Sequence, residues 1–104
     1  MAWVYLVVAG LFEIVWAVAL KYADGFTRFW PSALCIVGMI VSVVLLELSL
    51  RHLPVGTAYA VWTGIGTVGA AVLGMILFQE PATAVRIACI GLIVCGIAGL
   101  KLFA

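Results

Sequence analysis

Glu13 is an acid inside an apolar run that extends from about Trp3 to Leu20 and is interrupted by nothing else. If that run crosses a bilayer, an ionised carboxylate at its centre costs at least ~2.5–3.5 kcal/mol, so it must face a partner or a water-filled cavity. No basic residue lies at matching depth, which removes an internal salt bridge. The bland reading is a protonated acid bonded to a neighbouring helix. The chemical reading is a carboxylate whose partner is a proton, or a cation that comes and goes. Aromatic residues suit the second. Trp16 follows Glu13 by three positions and Tyr59 precedes Trp62 by three, so each pair shares a helix face. Electron-rich rings beside a carboxylate make a cation site. Trp3 and Trp30, near span ends, read instead as interfacial anchors. Ser42 sits mid-span; a lone serine there usually bonds its own i−4 carbonyl, so by itself it carries little.

These residues need a membrane around them, and the composition supplies one. The chain has 104 residues, 68% apolar and 9% charged, against ~45–50% and ~25% in ordinary soluble chains. That length allows a single domain, 1–104. A net charge of +1 excludes a polybasic nucleic-acid binder, and the hydrophobicity excludes a disordered tail.

Spanning takes about 20 apolar residues in a helix, and charged and turn residues cut the chain into four such pieces. The first is Trp3 to Leu20. After the Asp24-Gly25 turn, a second begins near Pro31 and runs to Leu50. Leu53 to Gln79 is uncharged and holds the third. The fourth looks short, with only Ile87 to Leu100 between Arg86 and Lys101, although both long side chains can snorkel to the interface. The expected fold is therefore an all-α integral membrane protein with four transmembrane helices per chain.

Two motifs are read as accidental. Ala17-Val18-Ala19 resembles a signal-peptidase site, but no basic segment precedes it and an acid interrupts the apolar stretch. Gly64-Ile65-Gly66-Thr67-Val68-Gly69 matches a dinucleotide fingerprint, yet it lies inside a span with no acid at the required distance. Cys35, Cys89 and Cys95 lack metal-ligand spacing, and His52 stands alone, so neither a metal nor a cofactor is expected.

Four spans put Arg51 and Lys101 on one side of the membrane and Lys21, Arg28 and Arg86 on the other. A tally of two against three sets no strong orientation. Insertion both ways would permit an antiparallel dimer of identical chains. Gly66, Ala70 and Gly74 recur every four residues, as do Gly91, Cys95 and Gly99, the spacing at which helix backbones approach closely. The second set is assigned to dimer packing. Gly64 and Gly66 together could make a bending point; replacing both with alanine should then slow transport while binding survives. Glu47 and Arg51 read as a surface helix pair, and Asp24, Arg28 and Glu80 as solvated loop charges.

Glu13, the Trp16-Ala-x-x-Leu-Lys21 run and Gly56-Thr57-Ala58-Tyr59-Ala60-Val61-Trp62-Thr63-Gly64-Ile65-Gly66 together resemble the small multidrug resistance family over the whole chain. Trp16, Gly25-Phe26-Thr27-Arg28, Ser42 and Lys101 resemble its guanidinium-exporter branch more than its quaternary-ammonium branch. Asp24 and Glu47 depart from the pattern but lie off the site. The resemblance implies an antiparallel, dual-topology homodimer in the cell's inner membrane. Two copies of Glu13 would bind either protons or one cation, and guanidinium export would be driven by proton influx. It also implies site roles for Gly10, Trp16, Ser42, Tyr59 and Trp62, and less securely for Lys101. Ser42 and Tyr59 hydroxyls would orient Glu13, while Trp rings confine the flat faces of the ion. The alternatives are a broad quaternary-ammonium and multidrug exporter of the same fold, or a non-transporting subunit of a larger membrane assembly. None of these is an enzyme.

Overall fold

The computed structural model describes residues 1–103 and contains four helices: α1 Ala2–Ala23, α2 Phe29–Leu50, α3 Val55–Leu77 and α4 Ala84–Phe103. No strand forms among the described residues. At 1.5 Å rise per residue each helix is about 30–35 Å long, the thickness of a hydrocarbon core. All four are long and apolar enough to cross it.

Helix α1 ends where Asp24, Gly25 and Phe26 turn left-handed at φ 49°, 72° and 65°. Only glycine takes such angles freely, so the turn is centred where the sequence places it. The amides of Thr27 and Arg28 close it by donating to the Ala23 carbonyl at 3.0 and 3.2 Å. Pro54, which cannot donate an amide, stands at the N-cap of α3.

Helix α4 corrects the expectation of a short fourth span. It covers 20 residues and takes Arg86 and Lys101 inside the helix. Their length lets the charges leave the apolar stretch without ending it. Thr83 starts the helix by accepting the Arg86 amide on Oγ1 at 3.2 Å, the bond an N-cap side chain makes. Arg86 turns back to Glu80, with Nη2 donating to Oε1 at 2.8 Å. Glu80 is thus an ion-pair partner rather than the free loop charge expected of it. Its amide also donates to the Gly74 carbonyl at 3.3 Å, so the loop is pinned at both ends.

Helix α1 packs on α2 and α3, while the α4 backbone neighbours α3 alone. The buried cluster is Leu6 and Ala9 of α1, Leu46 of α2, and Ala58 and Val61 of α3. Helix α4 contributes no buried residue. The protomer measures 41 × 34 × 16 Å.

Candidate functional site

The Glu13 side chain lies on the seam between α1 and α3, over Gly66. A methyl group added at Gly66 would stand 2.7 Å from Glu13 Cγ and closer still to Cδ and Oε1. The missing side chain at Gly66 therefore makes the space that the carboxyl occupies. Helical side chains lean toward the N-terminus, so that space overlies the preceding turn of α3, which carries Trp62 and Thr63. Glu13 Oε1 is buried and has no hydrogen-bond partner within the protomer.

Trp16 occupies the neighbouring seam. Its Cβ lies where a methyl on Gly38 of α2 would approach to 3.2 Å, and its Nε1 is likewise buried without a partner. Glu13 and Trp16 thus flank one face of α1 but lean on different helices.

Ser42 does not bond its own helix. Its hydroxyl donates to the Ala9 carbonyl of α1 at 2.6 Å and accepts Trp62 Nε1–H of α3 at 2.9 Å. This corrects the expectation of a local i−4 bond. The reason is tertiary: Ser42 is fully buried against α1 and α3, where a foreign acceptor and a foreign donor are both in reach. Ala9 is four residues before Glu13, so its carbonyl also receives the Glu13 amide in the helical ladder. Ser42 thereby fixes the backbone turn that carries Glu13, without bonding the carboxylate. The Tyr59 ring stacks on Trp62 at 5.5 Å between centroids, tilted by 59°, and is 56% exposed.

The glycines divide differently from their spacing. A methyl at Gly10 would meet Ile65 Cγ2 and Cβ of α3 at 2.6 and 2.8 Å, so Gly10 sets the α1–α3 distance next to Glu13. Gly66 and Gly69 face Glu13 and Ile14 of α1, whereas Gly64 faces Ile97 of α4. Gly74 lies under the Glu80 carboxyl. Alanine at 66 would consequently disturb the carboxyl itself, so the double replacement cannot test bending alone. A methyl at Gly91 or Gly99 would meet nothing within 4 Å, and Cys95 is exposed. Lys101 is not brought to Glu13. Its Nζ lies 4.9 Å from the Trp3 ring centroid, and Trp3 is about 15 Å of helix rise from Glu13.

Sequence reasoning did not single out Thr63. Its Oγ1 is the third buried polar atom without a partner, after Glu13 Oε1 and Trp16 Nε1. The available signal was a hydroxyl within an uncharged span, directly after a tryptophan assigned to the site.

The profile of the small multidrug resistance protein family matches residues 1–93. Proteins named guanidinium exporter from Citrobacter freundii, Salmonella typhimurium and Escherichia coli (strain K12) are each 58% identical to this chain over 102 residues. Those residues are 98% of this chain and 97% of each relative.

Proposed function

The chain belongs to the small multidrug resistance family, and from that premise we propose that it exports guanidinium and small guanidinyl cations in exchange for protons. Its place is the cell's inner membrane, crossed four times. The observation that carries this reading is the half-buried Glu13 carboxylate at mid-span, one oxygen of which is buried and left unpartnered by the protomer. Guanidinium is planar and presents N–H groups in a fork that matches a carboxylate. Cation and proton compete for the same oxygens, so loading one displaces the other. Where two copies of Glu13 share a site, they titrate as a coupled pair.

The second copy is part of the proposal. Four helices, one of them without a buried residue, are too few to enclose a gated path, and the near-even charge tally suits a chain that inserts both ways. In an antiparallel homodimer, Gly91, Cys95 and Gly99 of the bare α4 supply a small-residue packing face. The exposed Tyr59 then lines the shared site with Trp16 and Trp62, while the buried Ser42 holds the Trp62 ring in place from behind. Gly64 and Gly66 are assigned to the bending of α3 as access alternates, and Lys101 to a supporting position at the membrane surface.

Proton-coupled flux in liposomes tests the reading, with guanidinium and tetraethylammonium compared for the wild type and Glu13→Gln. Guanidinium alone should move protons, and the variant should be silent. Equal flux of both cations would favour a broad multidrug exporter, and no flux of either would remove transport by this chain alone. A C-terminal tag found on only one face of the membrane would overturn the dual-topology homodimer.

A further inference from the structure

We propose that the Thr63 hydroxyl is a further ligand of the transported cation, accepting an N–H of guanidinium held at Glu13. The inference rests on the export reading above and adds a residue to its site. A threonine in a helix ordinarily turns its hydroxyl back to the carbonyl four residues earlier. Thr67 does so, donating to the Thr63 carbonyl at 2.7 Å. Thr63 does not: its Oγ1 is buried and has no partner, although the Tyr59 carbonyl is the local acceptor available to it. A buried hydroxyl held off its own backbone carries an unmet bonding requirement.

Its position says what can meet that requirement. Gly66 follows Thr63 by three residues, so the two lie on neighbouring rows of α3. The space above Gly66, over the Trp62–Thr63 turn, is the space that the Glu13 carboxyl fills. Glu13 Oε1 of α1 thus lies against Gly66, one turn of α3 after Thr63, and neither Oε1 nor Thr63 Oγ1 bonds the other. Guanidinium presents N–H groups around its whole edge, so beyond the forks that carboxylates accept it can use a neutral acceptor beside them. Ser42 is committed to Ala9 and Trp62. Trp16 Nε1 can only donate, which suits the carboxylate and not a cation. Tyr59 is largely exposed, which leaves Thr63 as the buried, uncommitted hydroxyl one turn of α3 from the carboxyl.

The test separates hydroxyl from shape. Thr63→Val keeps the branched outline and removes the oxygen; Thr63→Ser keeps the oxygen and removes the methyl. Guanidinium-driven proton flux is measured in liposomes for the wild type and both variants. Thr63→Val should raise the guanidinium KM about tenfold, the weight of one hydrogen bond to a charged group, with little change in maximal rate. Thr63→Ser should keep the wild-type KM. An unchanged KM in Thr63→Val overturns the inference. So does a Thr63→Ser variant impaired as much as Thr63→Val, since the methyl would then matter instead. A wild type that moves no guanidinium sinks the export reading itself, and is distinguished by failing before either variant is compared.

Discussion

Gly66→Ala places a methyl group where the Glu13 carboxyl now lies. Glu13 Cγ would be 2.7 Å from it, whereas ordinary contact begins at 3.4 Å, so Cγ must retreat by about 0.7 Å and the carboxyl by more. Two relaxations are open. Spreading α1 from α3 is overpacking, at ~1–3 kcal/mol. Turning the Glu13 side chain aside costs ~0.5–1.5 kcal/mol even off its rotamer, and it is the flexible end of that chain that is struck. The second therefore wins, and alanine returns about 1 kcal/mol of helix propensity over glycine. Stability should be nearly unchanged while the carboxylate is misplaced by on the order of 1 Å, a displacement worth up to ~10²-fold in a positioned site. Gly69→Ala is the control, because its methyl, one turn along α3 from Gly66, strikes the Ile14 side chain rather than the Glu13 carboxyl. Guanidinium flux in liposomes and thermal unfolding in detergent are measured for both. Gly66→Ala should raise KM tenfold or more with its melting point held; Gly69→Ala should lower the melting point and spare KM. Wild-type KM in Gly66→Ala, or matching behaviour of the two variants, would refute the placement of the site over Gly66.

Ser42→Ala strands Trp62 Nε1–H and frees the Ala9 carbonyl, so unfolding in mixed micelles should show a loss of about 0.6–2 kcal/mol. Adding Trp62→Phe should cost little more, and strictly additive losses would deny the coupling. On the proposal that protons and cation compete at Glu13, acidifying the loading side should raise the guanidinium KM, by up to about tenfold per pH unit for one competing proton. A pH-independent KM would mean that the two do not share the carboxylate. Glu80→Gln removes a pair whose side chains are 36% and 38% exposed, so stability should fall by less than ~1 kcal/mol, and less again in high salt. A loss well above that would place the pair out of reach of water.

Spans one to three were legible because their boundaries are made of local chemistry. Asp24-Gly25 takes left-handed angles, Pro54 withholds an amide, and Gln79 turns left-handed at φ 55°. The fourth was under-read because a charge was taken as an edge. Arg86 and Lys101 are helical, and their charges find Glu80 and the Trp3 ring beyond the apolar stretch. The Glu80 pairing was hidden for a related reason, since it is made across a proline-bearing loop instead of along a helix face. Glu13 stands out without any structure, because a carboxylate at mid-span depth is costly unless a partner or water reaches it. The partners of Ser42 could not, since Ala9 is 33 residues away and nothing in the spacing of one helix selects a carbonyl on another.

What divides scaffold from site in this protomer is hydrogen-bond satisfaction. Ser42 is buried and both gives and receives a bond, so its hydroxyl is fixed and can lock three helices together. Glu13, Trp16 and Thr63 are no less polar, yet each keeps a buried atom that the protomer does not pair. In a folded scaffold such groups are a liability of about 1–3 kcal/mol each. An exchanger needs them, because a carboxylate tied to its own chain would lose those bonds every time it took up a proton or a cation. The Gly66 cradle makes the same point in shape: it admits the carboxyl by omitting a side chain and donates nothing to it. Filling it with a hydrogen-bonding residue, as in Gly66→Ser, should therefore impair exchange at least as much as Gly66→Ala does. Export by Gly66→Ser at the wild-type rate would show that an unpartnered carboxylate is not what this site requires.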